Sequence, residues 1–207
     1  MKQRISDQEL EELYELLSMD MLSYNCGELC APGNDGVPYC CDTAVPALYK
    51  EEYAWQRKKG VYWKRMRCST KDERTLRESI EWDGYAVAAY CPGPDRCDRL
   101  RRALVCRTYP LEPHLDGRGE LLGLTFNYSP DHRCPLVKKP KVRFRREYIR
   151  NAVKVWRRLL ELYPEERAIF IDESRRVRRT FKRKGMEVPL FGAAAKTKKS
   201  SNTGTGV

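Results

Sequence analysis

The sequence predicts an α+β chain, mainly α: a small, irregular, metal-centred domain with short strands and a basic C-terminal helical arm. Three observations carry this. Apolar residues recur at helical spacing near both ends of the 207-residue chain. Between them stand short apolar runs bounded by Gly and Pro. Eight of the nine cysteines fall into two groups, Cys26 to Cys41 and Cys91 to Cys134.

The first helix is expected over residues 6–22. Ser6 and Glu9 have capping-box spacing, and Leu10, Leu13, Tyr14, Leu17 and Met21 then make one apolar face, read as core. The stretch CGELCAPGNDGVPYCC, Cys26 to Cys41, is rich in Gly, Pro and Asn and reads as loop. VPALYKEEYAWQRKKG holds a short helix ending at Gly60, and KDERTLRESIEW is polar and ambiguous. GYAVAAYC reads as a strand delivering Cys91. GELLGLTFNY, bounded by Gly119 and Pro130, is the best strand candidate. REYIRNAVKVWRRLLELY, residues 146–163, is the clearest helix. It carries Ile149, Ala152, Val153, Trp156, Leu159, Leu160 and Tyr163 on one face and ends at Pro164. A further helix is expected over 165–183, and GAAAKTKKSSNTGTGV has the composition of a disordered tail. The chain thus divides into a cysteine-cluster metal-binding domain (1–140), a basic helical extension packing on it (141–191) and a tail (192–207).

Hydrophobic residues make up 41% of the chain, enough for a core, while charged residues make up 33% and the net charge is +11. No apolar run approaches the roughly 18–20 residues that span a bilayer. The N-terminus, MKQRISDQELEELYELL, lacks the order of a signal peptide. The expectation is a soluble cytoplasmic protein without membrane contact. Thiols stay reduced in that compartment and nine is an odd number, so a disulfide framework is the least expected use of the cysteines. No Gly-x-Ser-x-Gly, His-Glu-x-x-His, Walker loop, dinucleotide fingerprint or Cys-x-x-Cys occurs, and two histidines argue against a His-based hydrolase. The reading leans away from an enzyme.

The first cysteine group is Cys26-x3-Cys30-x9-Cys40-Cys41. The second is Cys91-x5-Cys97-x8-Cys106, followed by Cys134-Pro135. Each supplies four thiols, the number that closes a tetrahedral zinc site or holds an iron–sulfur cluster. Gathered thiolates repel one another unless a cation holds them. The spacing matches neither a zinc ribbon nor a ferredoxin run. Neighbouring side chains diverge, so either one of Cys40 and Cys41 ligates while the other packs, or each serves a different metal. The groups form separate sites or converge on one. Cys68, alone in RMRCSTKDE, reads as a buried hydrophobe. His132, two residues before Cys134, is a supplementary ligand candidate, and His114 reads as a loop residue.

This pattern resembles the YkgJ-like cysteine-cluster family, described as zinc- or iron-chelating domains. Cys26, Cys30, Cys40 and Cys41 look like that family's first loop, and Glu51 or Glu52 like its acidic follow-on. CPGPDRCDRLRRALVCRTYP looks like its second block, with Cys91, Cys97 and Cys106-Arg107, and Cys134 like its last cysteine. The resemblance spans about residues 26–136. The first spacing is x3 rather than x2, nine residues precede the doublet, and an Arg-Pro of the second block is only echoed by Arg101 and Arg102. The resemblance implies a bound metal centre, an iron–sulfur cluster (4Fe-4S favoured) or zinc, and no settled reaction. Arg107 either donates to a cluster sulfur and offsets thiolate charge, or pairs with a nearby acid.

Charge is unevenly placed. Residues 138–184 carry 18 Lys/Arg against 6 Asp/Glu, while residues 1–137 carry 19 against 22. KKPKVRFRREYIR and SRRVRRTFKRKG also hold Phe144, Tyr148 and Phe181. Such a stretch, within residues 141–184, suits nucleic acid or an acidic protein partner, or the net-negative part of its own chain; a solvated helix face is the plainer alternative. The leading expectation is a metal-binding protein with a redox or accessory role. The alternative is a zinc-stabilised nucleic-acid-binding module using the basic arm. A third is an enzyme using a cluster or a low-pKa cysteine.

Overall fold

A computed structural model of the chain describes residues 4–42, 45–60, 63–81, 83–98, 101–129, 133–139 and 142–193. These residues form a mixed α+β fold, mainly helical, with small sheets. Helix α1 spans Asp7–Leu16, and the Ser6 hydroxyl accepts the Glu9 N–H at 3.1 Å, satisfying a first-turn donor. The apolar period runs on to Met21, yet the helix stops at Leu16. Its last carbonyls are claimed from outside: Asn151 Nδ2 donates to Leu16 O at 2.9 Å and Arg107 Nη1 to Leu17 O at 3.0 Å. The chain then turns into the cysteine loop.

Strands β1 (Ala47–Tyr49), β2 (Lys64–Arg65) and β3 (Ala86–Tyr90) form an antiparallel sheet in the order β1-β3-β2. The central position of β3 buries Ala86 to Ala89 and explains its unbroken apolar run. Helix α2 (Lys50–Lys58) follows β1, and α3 (Lys71–Glu81) precedes β3. The ambiguous polar segment is therefore a helix, started by a reciprocal cap. Thr70 Oγ1 accepts from Glu73 N at 3.1 Å, and Glu73 Oε2 accepts from Thr70 N at 2.9 Å.

A second antiparallel pair joins β4 (Leu111–Leu115) to β5 (Leu121–Phe126), after the short helix α4 (Leu104–Thr108). The expected strand over GELLGLTFNY is β5. Its partner β4, with Pro113 and His114 in it, has no strand-like period, and its pairing comes from β5. His114 is a buried strand residue rather than a loop residue. Phe191 continues this ladder by exchanging 2.8 Å backbone hydrogen bonds with Leu124.

Helix α5 (Arg146–Leu162) buries Tyr148, Ile149, Ala152, Val155, Trp156, Leu159 and Leu160. Pro164 does not merely end α5; it occupies the first turn of α6 (Pro164–Arg183), where its missing N–H costs nothing. α5 packs on α1, α6 and β5, and one apolar cluster runs from Ile5 and Leu10 through Leu104 and Leu124 to Tyr163. The basic segment thus shares a core with the cysteine-bearing part. From residue 194 the predicted tail lies outside the described residues. Among the described residues no helix is long and apolar enough to cross a membrane.

Candidate metal centre

A small apolar cluster of Leu48, Trp63, Ala89 and Ala103, with Cys91 and Cys106 against it, supports the second cysteine block. Cys91 leaves directly from the end of β3 at Tyr90. Cys106 sits on α4, whose start is held by Glu52. The Glu52 Oε1 accepts from Leu104 N at 2.7 Å and from Tyr14 OH at 2.6 Å, and Oε2 accepts from Tyr49 N at 3.3 Å. Glu52 is wholly buried, and burial raises its carboxyl above the ordinary range while these hydrogen bonds oppose the shift. Cys97 closes the 3₁₀ turn Pro94–Arg96, and Arg102 Nε donates to its Sγ at 3.3 Å.

The first block is made of short turns. Cys26 opens one whose Gly27 N–H is capped by Asn25 Oδ1 at 3.2 Å, and Cys30 Sγ faces Gly27 O at 3.6 Å. A tight turn, Cys41 N to Pro38 O at 2.8 Å, presents the doublet with its sulfurs 3.9 Å apart. Cys134 stands before the 3₁₀ turn Pro135–Lys138.

The thiols act on one another electrostatically. Burial pushes Cys106 up to about 12, and the charges of Cys91, Glu52, Cys97 and Cys41 add to it. Burial also raises Cys91, with Cys41 and Cys97 adding and the Gly93 N–H and Arg102 opposing. Cys134 is raised by burial, with Cys26 and Cys30 adding and the amides of Leu136 and Val137 opposing. Cys40 is raised by its hydrogen bond with Cys41, then by burial, then by the charges of Cys41, Cys26 and Cys30. The charges of Cys41, Cys91 and Cys97 thus act on Cys106, and those of Cys26 and Cys30 act on Cys134 and on Cys40, which Cys41 also affects. Cys40 borders both groups. Cys41 is the more acidic of the pair, lowered by the hydrogen bond from Cys40 and by the Arg102 charge against the opposing effect of burial.

Cys41, Cys91, Cys97 and Cys106 line a cavity of about 180 Å³ together with Cys40, Val45, Pro46, Trp63, Arg102, Val105 and Tyr109. The walls are mainly apolar, with Arg102 as the cation. Trp63 keeps a buried indole N–H that has no partner among the described residues. None of the nine cysteines is in a disulfide. Among the described residues no three Cys, His, Asp or Glu side chains stand in an arrangement that could hold a metal ion. The donor set fits a thiolate-bound centre in kind and number: five thiols on the cavity wall, with a guanidinium and an unpaired N–H beside them. The sulfurs are gathered but not drawn to ligand distance.

Cys68 stands apart, its Sγ facing Glu73 O at 3.4 Å before α3. Arg107 is buried, with its guanidinium 4.4 Å from the Tyr14 ring centre. It donates to the carbonyls of Leu17 and Arg102, at 3.0 and 2.9 Å, and so ties α4 to the end of α1. Arg102 is hydrogen-bonded to a sulfur, and its position five residues after Cys97 is the signal for this in the sequence. His132 lies outside the described residues. His114 is far from ligand chemistry in character: burial, with the Arg178 charge, lowers it to about 4 and keeps it neutral.

No family model, curated protein or solved structure matches the chain. The resemblance to the cysteine-cluster family rests on the cysteine pattern alone.

Proposed function

We propose that the chain is a cytoplasmic, cysteine-ligated metal-binding protein with a redox or accessory role. Its ligands are two four-thiol sets, Cys41 with Cys91, Cys97 and Cys106, and Cys26 with Cys30, Cys40 and Cys134. The observation that carries this reading is the shared cavity wall. Five of the nine thiols, Cys40, Cys41, Cys91, Cys97 and Cys106, line it beside Arg102, while Cys68 stands elsewhere. The family resemblance points the same way.

An iron–sulfur cluster, 4Fe-4S favoured, suits the first set better than zinc. The cavity of about 180 Å³ exceeds what a single ion needs, and its apolar wall and sulfur-directed donor are features that set cluster potentials. When bound, such a cluster supplies one-electron transfer, whereas zinc would supply structural cross-linking. The chain's own residues do the rest. Val45, Pro46 and Trp63 limit water, and Arg102 offsets thiolate charge.

Oxygen-free purification followed by iron, zinc and acid-labile sulfide analysis and a visible spectrum tests the reading. Iron with sulfide and broad visible absorption is the expected result. Zinc without iron would select the other metal, and a colourless, metal-free, folded protein would defeat the proposal.

A further inference from the structure

The densest basic run of the sequence, SRRVRRTFKRKG, follows α6 to its C-terminal end, and three of its seven cations are engaged. Arg175 pairs with Asp172 at 2.7 Å, Arg176 with Glu173 at 2.5 Å, and Arg178 donates to Leu115 O. Arg179, Lys182 and Arg183 are exposed and make no ion pair among the described residues. Helix α5 carries a longer row of such cations. Between residues 142 and 158 the chain holds seven Lys/Arg and one acid. Arg158 is engaged by Glu9 and Glu161, and Arg145 by Leu22 O. The others, Arg143, Arg146, Arg150, Lys154 and Arg157, are exposed and make no ion pair among the described residues.

Arg146, Arg150, Lys154 and Arg157 recur at four- and three-residue spacing. They fall within an arc of about 80° and a length of about 16 Å on the helix face opposite the core. Neighbours in such a row are about 5–6 Å apart at Cβ, and an unneutralised row of cations without internal partners is a strongly positive stripe. At the N-terminal end of the helix, Arg145 N donates to Met21 O at 2.9 Å and its Nε to Leu22 O at 3.1 Å. This fixes the loop that carries Tyr24. Tyr24 is 45% exposed, with Lys139 Nζ 5.9 Å from its ring centre.

We infer that this face of α5, with Tyr24 at its end, binds single-stranded nucleic acid. Arg side chains meet phosphates with planar forks, and an exposed ring beside a cation stacks on an unpaired base. A polyacidic protein offers no base for Tyr24. An anionic membrane requires apolar side chains beside the cations, and α5 exposes no large apolar residue. The inference goes beyond the metal reading and does not depend on it.

The test is fluorescence anisotropy of the full chain with short labelled single-stranded RNA and DNA oligonucleotides across a salt series, the two arms separating the sources of the strand. Polyglutamate and phosphatidylserine vesicles serve as competing probes. Binding to either oligonucleotide should weaken linearly in log–log form as salt rises. Replacing Arg146, Arg150, Lys154 and Arg157 by Ala should make that slope shallower by about 0.7 for each phosphate contact removed, so by about 3 in all. Tyr24→Ala should weaken binding about tenfold and leave the slope unchanged. Replacing Arg179, Lys182 and Arg183 on α6 should change affinity less than about twofold. All replaced side chains are exposed, and Arg150→Glu alone provides a second reading if the fourfold variant folds poorly by circular dichroism. Absence of oligonucleotide binding, equal binding of polyglutamate or vesicles, or a larger loss from the α6 variant would each overturn the inference.

Discussion

Glu52 Oε1 accepts the backbone N–H of Leu104 at 2.7 Å, joining the first turn of α2 to the first turn of α4. The same oxygen takes the Tyr14 hydroxyl of α1 at 2.6 Å. One buried carboxylate thereby fixes three helices and sets where α4 carries Cys106 and Arg107. Glu52→Ala would strand these donors in an apolar interior, at a cost of about 2–5 kcal/mol. Urea unfolding should show a markedly lower midpoint, and a midpoint equal to the parent's would show that Glu52 is not the tie. Glu52→Gln keeps an acceptor but adds an unwanted donor, so its loss should be smaller.

The proposed assignment of Cys40 and Cys41 to different ligand sets gives a prediction about metal stoichiometry. Cys41→Ser and Cys91→Ser should remove the same share of bound metal, and the double variant should remove no more than either alone. Cys40→Ser should behave that way with Cys134→Ser. Full loss from both sets in every variant would mean a single shared site.

Cys68, whose sulfur makes a weak contact with Glu73 O, should be dispensable. Cys68→Ala should retain the parent's metal content, and its stability should change by less than about 1 kcal/mol. A variant that lost metal would place Cys68 in the centre.

The buried His114 and the half-buried Glu166 set opposite limbs of the stability profile. His114 is lowered to about 4 by burial and the Arg178 charge. Its neutral form is the folded one, so its contribution is complete above the unfolded value near 6.5 and is lost as pH falls through about 4. Glu166 is raised to about 7 by burial, opposed by the Tyr49 hydroxyl that donates to it at 2.5 Å. Its contribution is complete below about 4.5 and is lost as pH rises through about 7. Thermal melts across pH should show His114→Phe flattening the acid limb and Glu166→Gln flattening the alkaline limb. Unchanged limbs in both variants would show that these groups titrate normally.

Gly123 has φ +150°, and a Cβ there would lie 2.9 Å from Phe191 O. That close approach permits the Leu124–Phe191 bridge that binds the last described segment to β5. Gly123→Ala should speed hydrogen exchange of the Phe191 amide by at least about tenfold while α1 and α5 stay protected. Unchanged Phe191 exchange would show that the bridge tolerates a side chain.

The helices with a local signature could be read directly. Ser6 and Glu9 announced α1, and the apolar face of 146–163 announced α5, because capping and periodicity act within a few residues of chain. The Thr70-x-x-Glu73 cap of α3 is equally local, though the polar composition of the segment hides its helical period. Strand β4 had no such signature. Leu111 to Leu115 are a strand because β5 pairs with them and Ser174 Oγ of α6 accepts the Leu115 N–H at 2.9 Å. The end of α1 likewise depends on Arg107 and Asn151, both remote in sequence.

By itself, the sequence determined that eight thiols are gathered in two stretches and that the C-terminal part carries the positive charge. Only the tertiary structure brings members of both stretches to one wall, where Cys40 and Cys41 line a cavity with Cys91, Cys97 and Cys106. Arg102 donates to the Cys97 sulfur while Arg107 reaches the end of α1, and α5 keeps a longer exposed row of cations without ion pairs among the described residues than α6 does. The physical reason is common to all three. Which side chains are neighbours, and which charges are already spent, follows from packing between remote segments, and spacing along the chain carries no record of that.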